Sequence, residues 1–184
     1  VKRGREWLLG ALDRGEYSHK SYPMGIRSLC LYALLKAGVD PESPVVLREL
    51  KHVEGLSPNK TYSVALHLMA LDQWARSRGR VKLLTIGDKK DNFSFLGSKS
   101  HRAQQLVDRL VQAKASQQAH WTYGRTEGGH DYSNSQFAVL GLEIALRNNL
   151  SIPGKVWSQI GSTFPSTMSS GKSGGPTRVS ITFT

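Results

Sequence analysis

A single cysteine, Cys30, is the whole thiol content of the 184-residue chain. This excludes an internal disulfide and any metal site built from several cysteines, and leaves cysteine usage silent on the redox compartment. Acidic residues are also scarce: 14 Asp and Glu face 25 Lys and Arg, for a net charge of +11. No apolar run approaches the ~18 residues needed to cross a bilayer. The opening segment, Val1-Lys2-Arg3-Gly4-Arg5, is basic and polar, unlike a secretory leader. With Val1 in place of Met, the chain is expected to be a fragment of a larger protein. Its length suits one domain able to bury roughly 70% of its unfolded surface.

The positive charge is unevenly placed. Arg76, Arg78, Arg80, Lys82, Lys89, Lys90, Lys99 and Arg102 share their stretch with only Asp88 and Asp91, so a surplus of six sits there. Such a patch could attract phosphates or an acidic partner, and Phe93 and Phe95 could stack on bases. The preferred reading is a solvated insertion loop over residues 79–99, with nucleic acid disfavoured as a partner.

The rest of the chain is patterned as helices. In residues 128–157, Ser133 and Gln136 have the spacing of a capping box, and Tyr132 and Phe137 that of a hydrophobic staple. From Phe137 to Leu146 only Glu143 is strongly polar, so this helix is apolar nearly all round and is expected to be buried. Asn148 or Asn149 can take the left-handed conformation that ends it. Ser151 and Pro153 then restart a one-sided helix through Ile152, Val156, Trp157, Ile160 and Phe164. Earlier, Ile26 to Ala37 forms another buried helix ended by Gly38, and Val46, Leu47, Leu50 and Val53 mark its amphipathic partner. Ser57-Pro58 supplies a cap and a first-turn proline for a third buried helix, Tyr62 to Ala75, interrupted by His67. Val1 to Leu12 reads as a surface helix, and Ala103, Leu106, Val107, Leu110 and Val111 mark one face of another.

Buried helices starting near Gly25, Thr61 and Ser135 give an interval of about 36 residues and then one of about twice that. Repeats of this length, built from helix pairs, indicate stacked architecture in which each unit buries its face against its neighbours. Three stretches carry a family likeness: Met24-Gly25-Ile26-Arg27-Ser28-Leu29-Cys30-Leu31-Tyr32-Ala33-Leu34-Leu35, Lys60-Thr61-Tyr62-Ser63-Val64-Ala65-Leu66-His67-Leu68-Met69-Ala70-Leu71 and Asp131-Tyr132-Ser133-Asn134-Ser135-Gln136-Phe137-Ala138-Val139-Leu140-Gly141-Leu142. Together they resemble the bacterial prenyltransferase and squalene-cyclase repeat proteins of the terpenoid cyclase and protein prenyltransferase superfamily. The resemblance implies an α/α toroid over residues 1–164, with inner helices lining a central cavity. Residues 165–184 form a Ser- and Gly-rich tail or the start of a further repeat.

The resemblance also frames the chemistry. Cyclases of this family protonate substrate through an Asp-x-Asp-Asp cluster, which this sequence lacks. Prenyltransferase β subunits hold zinc with an Asp and a Cys two residues on; here Asp131 is followed by Ser133, which removes the thiolate that would activate a substrate thiol. Candidate cavity-lining residues are Tyr62, His67, His130, Asp131, Asn134, Gln136 and Glu143. Asp131, Asn134 and Gln136 would sit with His130 at the mouth of an inner helix, where a carboxylate also favours the helix N-terminus. His67 and Glu143 could serve as base and acid, although Glu143 could pair with Arg147. Tyr62 could stabilise a carbocation. The expectation is an all-α toroid fragment acting as a non-catalytic binding or interaction domain, with an apolar small molecule or a protein as partner and with no metal or cofactor. The alternative is a cyclase-like or prenyltransferase-like enzyme acting on an isoprenoid or other apolar substrate.

Overall fold

The computed structural model describes residues 1–16, 20–83, 96–114, 120–124 and 131–163. They form seven helices: α1 Lys2–Asp13, α2 Pro23–Lys36, α3 Pro44–Glu54, α4 Thr61–Leu83, α5 Ser100–Ala113, α6 Tyr132–Arg147 and α7 Gly154–Thr163, with a 3-10 turn at Gly97–Lys99 before α5. Among the described residues there is no strand, only an isolated bridge between Trp121 and Asp131. The chain is all-α in these residues.

The helices alternate in character. α2, α4 and α6 are apolar around most of their circumference, while α3, α5 and α7 bury one stripe each. The spacing of Val46, Leu50 and Val53 in α3, of Ala103, Leu106, Val107 and Leu110 in α5, and of Val156 and Ile160 in α7 sets those stripes, and all nine side chains are buried. α4 is the centre of the layer, flanked by α2 and α6 and covered by α5; α3 lies against α2, and α1 touches α2 alone among its main neighbours. Close approach at two glycines lets the neighbours seat on α4. A Cβ at Gly25 would stand 2.8 Å from Ser63 Oγ and 3.3 Å from the Ser63 Cα, and one at Gly141 would stand 2.9 Å from Leu110 Cδ1 and 3.5 Å from the Ala65 Cα.

The ends of α2 and α6 are built alike. Gly38 (φ 79°) follows α2, with Gly38 N–H donating to Leu35 O and Val39 N–H to Leu34 O; Asn149 (φ 55°) follows α6, with Asn149 N–H donating to Leu146 O and Leu150 N–H to Ala145 O. Both are the paired bonds of a Schellman ending, which satisfies carbonyls the helix leaves open. Val39 and Leu150, the residues just after, pack against the core.

Several expectations need correction. α6 is capped by Asp131, whose Oδ1 accepts from the Asn134 N–H at 3.0 Å, so Ser133 lies inside the helix and the capping box with Gln136 is not formed. Asp131 wins because its carboxylate takes both that N–H and the Ser133 hydroxyl (2.6 Å). Tyr132 is 78% exposed, so it forms no staple, and Phe137 packs on Tyr62 instead. α4 begins at Thr61, where its start was expected, but Ser57-Pro58 does not cap it, and it runs on to Leu83, so residues 79–83 of the expected insertion loop are helical. Residues 97–99 are the 3-10 turn and Leu96 is buried; residues 84–95 lie outside the described residues, as does the tail from 164 onward. Leu47, expected on the buried stripe of α3, is 42% exposed.

Candidate functional site

One face of the layer formed by α2, α4 and α6 is set by the middle helix. On α4, Tyr62, Leu66 and Met69 are only partly buried, although Val64, Ala65, Leu68, Ala70 and Leu71 around them are sealed. Spaced at i, i+4 and i+7, they make a single stripe. At its N-terminal end the Tyr62 ring lies 4.6 Å from that of Phe137 on α6 and 6.1 Å from that of Tyr123, both in tilted arrangements suited to aromatic pairs. Leu140, one turn past Phe137 on α6, is partly buried too, and Leu29 on α2 is 45% exposed. An isolated exposed leucine needs no explanation, but contiguous half-buried aromatic and aliphatic groups on the central helix do.

The aromatic end is held rigidly. The Thr61 N–H donates to Tyr123 O (3.1 Å) and the Thr61 hydroxyl to Thr122 O (2.6 Å). Trp121, fully buried, donates its indole N–H to Leu110 O at 2.8 Å and its backbone N–H to Ser135 Oγ at 2.9 Å. The 120–124 segment is thereby bolted to α4, α5 and α6. A cleft beside it, lined by Lys60, Thr61, Val64, Arg109 and Leu110 among others, measures about 10 Å³, about the volume of one water probe. An isoprenoid would have to use the open stripe rather than that cleft.

The expected site residues separate into different environments. Asp131 is the cap of α6: its Oδ1 accepts from Ser133 and the Asn134 N–H, and its Oδ2 from the Asn134 side-chain amide at 2.8 Å. The Ser133 hydroxyl first, and then the Asn134 N–H, hold its carboxyl below the usual range. Asn134 is fully buried, and its Oδ1 has no hydrogen-bond partner among the described residues. Gln136 is exposed on the same helix, and His130 lies outside the described residues. Glu143 pairs with Arg147 one turn on, at 3.2 Å.

His67 is fully buried in α4, with Nδ1 3.4 Å from Ser28 Oγ on α2. Burial above all, then the positive charge of Arg102 and Lys99, pushes its pKa down to about 3, so the ring is neutral. His67 and Glu143 therefore have separate partners and do not form an acid–base pair. Among the described residues no three His, Cys, Asp or Glu side chains gather to hold a metal ion. Burial, followed by the neighbouring Glu49, raises the Cys30 thiol, which suits inert packing.

The basic stretch is largely occupied where it is described. Arg76 bonds Asp72 at 2.8 Å, Arg78 pairs with Glu42 and stacks over Trp74 at 4.5 Å, Lys99 meets Glu54 at 2.6 Å, and Arg102 donates to Leu56 O. These cations hold neighbouring helices and loops rather than forming a free patch; Lys89 and Lys90 lie outside the described residues.

No protein-family model matches the chain, no curated protein matches it, and no solved structure matches it. Function must therefore be argued from these side chains. The partly open residues that were not among the sequence candidates are Leu66, Met69, Leu140 and Tyr123. Their signal was a second stripe, Tyr62, Leu66, Met69, inside a helix whose apolar residues run all the way round.

Proposed function

We propose that the chain is a non-catalytic binding or interaction domain of the terpenoid cyclase and protein prenyltransferase toroid type, part of a larger bacterial protein, that receives an apolar molecule or surface on the inner face of α2, α4 and α6. The observation that carries this reading is the half-buried Tyr62, Leu66, Met69 stripe on a helix whose other sides are sealed. Burying such side chains is worth about 25 cal/mol per Å² of apolar surface, so they favour an apolar occupant over water. Alternation of all-round apolar helices with one-sided ones supports the toroid type, as do the matching endings of α2 and α6.

The test is titration of the protein with farnesol, followed by tryptophan fluorescence and by displacement of a polarity-sensitive dye. Saturable binding is expected, weakened at least tenfold by Leu66→Glu, with the far-ultraviolet dichroism and melting temperature of the variant close to those of the parent. Equal binding by parent and Leu66→Glu would remove the inner face as the binding surface.

A second reading, a cyclase-like or prenyltransferase-like enzyme, draws on the Tyr62, Phe137 and Tyr123 rings, which present π faces of the kind that stabilise cations. Incubation with prenyl diphosphates or squalene and product analysis tests it; recovery of unchanged substrate argues against catalysis.

A further inference from the structure

The seam where α2 meets α4 contains small and polar groups at its N-terminal end. Gly25, Ser28, Ser63 and His67 are all buried there, and Gly25 and Ser63 are so close that a methyl group would not fit between them. His67 is the one titratable side chain of this group. Its Nδ1 faces Ser28 across the seam at 3.4 Å, and its Nε2 has no hydrogen-bond partner among the described residues. A neutral imidazole tolerates this environment; an imidazolium would need two acceptors and a counter-charge.

No described carboxylate is placed to supply that charge. The charges felt at the ring are those of Arg102 on α5 and Lys99 before it, both repulsive to a cation. Glu54 of α3 is engaged by Lys99 at 2.6 Å, and Glu49 of α3 by Arg27 of α2 at 2.6 Å. On α4 itself Asp72 is taken by Arg76 and Asn148, and on α6 Glu143 is taken by Arg147. The ring can gain water most cheaply on the α2 side, where Gly25, Ser28 and Ser63 are small and Met24 is the one large buried apolar side chain of residues 23–29, whereas the α5 and α6 sides of the core are closed by several buried leucines, Leu106, Leu110 and Leu142 among them.

We propose that the N-terminal half of α2 is an acid-sensitive flap, which parts from α4 when His67 takes a proton and uncovers the seam at Gly25, Ser28 and Ser63. The direction follows from linkage. The folded value is depressed to about 3, below the unfolded value near 6.5, so the closed seam has its full stability above about pH 6.5 and loses it progressively as pH falls toward 3. One proton taken up on opening makes opening about tenfold easier per pH unit across that window. The inference stands whether or not the inner face binds an apolar ligand.

Hydrogen exchange on the whole chain from pH 7.5 to 4.5, corrected for the intrinsic pH dependence of exchange, tests it. Amides of Ile26 to Leu29 should lose protection about tenfold per unit below pH 6.5, while those of Ala70 and Leu142 change far less. In His67→Gln the extra slope at Ile26 to Leu29 should vanish. A parallel nuclear magnetic resonance titration of the parent, which needs no variant to fold, should show the His67 ring still neutral in the closed state at pH 5. A flat profile, a slope retained in His67→Gln, an equal slope in every helix, or a His67 ring charged in the closed state at pH 5 would each overturn the proposal.

Discussion

Asp72 ties the C-terminal end of α6 to α4, and its removal separates what a buried hydrogen bond contributes from what surface ion pairs contribute. Its side chain is 10% exposed. Oδ1 accepts from the Asn148 amide at 2.8 Å; Oδ2 accepts from Arg76 Nε at 2.8 Å and lies 3.5 Å from an Arg147 guanidinium nitrogen. Asn148 is itself buried, and its amide also donates to Ile144 O, so loss of Asp72 leaves one of its two N–H donors without this partner. A hydrogen bond to a charged group contributes about 1.5–3 kcal/mol. The arginines are 43% and 42% exposed, and pairs of that kind contribute about 0.5 kcal/mol or less each. Asp72→Ala should therefore cost about 2–4 kcal/mol, most of it through Asn148. In double-mutant cycles from urea unfolding at pH 7, the Asp72–Asn148 coupling should reach about 1.5 kcal/mol or more and hold in 1 M salt, whereas the Asp72–Arg76 coupling should be about 0.5 kcal/mol and shrink. A larger coupling to Arg76 than to Asn148 would refute the reasoning.

Two further perturbations address the ends of the aromatic region. Trp121→Ala should cost about 3–5 kcal/mol, because it empties a fully buried indole site and strips Leu110 O of its donor; Trp121→Phe should recover part of that in thermal melts. Asp131→Ala should cost about 1 kcal/mol through loss of the α6 cap. Because the Asp131 carboxyl is held below its ordinary range, this deficit should be constant from pH 7 to 5. It should shrink below about pH 4, where the unfolded parent takes up a proton that the folded carboxylate resists.

Helix identity was legible because it rests on local signals. The i, i+3, i+4 spacing in α3, α5 and α7 gave one-sided helices, and Gly38 and Asn149 end α2 and α6 in the left-handed conformation expected of such residues. The starts were less legible, because more than one side chain can cap a helix. Ser133 with Gln136 has the right spacing, but Asp131 reaches the Asn134 N–H first, and the helix starts two residues earlier than the Ser133 cap implied. Likewise Ser57-Pro58 has cap chemistry, yet Pro58 O is occupied as an acceptor for Arg109, and α4 starts only where Thr61 is bonded to Thr122 and Tyr123. Both misassigned caps arise from partners 51 to 62 residues away or from competition within one turn. A reading confined to spacing does not contain either.

The site was less legible for a related reason. A helix that is apolar all round announces burial but not which side stays uncovered, since that is decided by where its neighbours seat. In α4, Leu66 and Leu68 are chemically identical and two residues apart, yet Leu68 is sealed at 1% exposure in the core while Leu66 remains partly open. The difference comes from Gly25 and Gly141, which let α2 and α6 come close on two flanks, and from α5, which covers a third. His67 was singled out because it breaks the apolar run of α4, and the same neighbours place it on the sealed side, against Ser28. A polar residue in such a helix marks the open face only if its angular position falls on the Tyr62, Leu66, Met69 stripe. His67 lies one residue past Leu66, about 100° round the helix, and so belongs to the packing of α2 on α4 rather than to the open face.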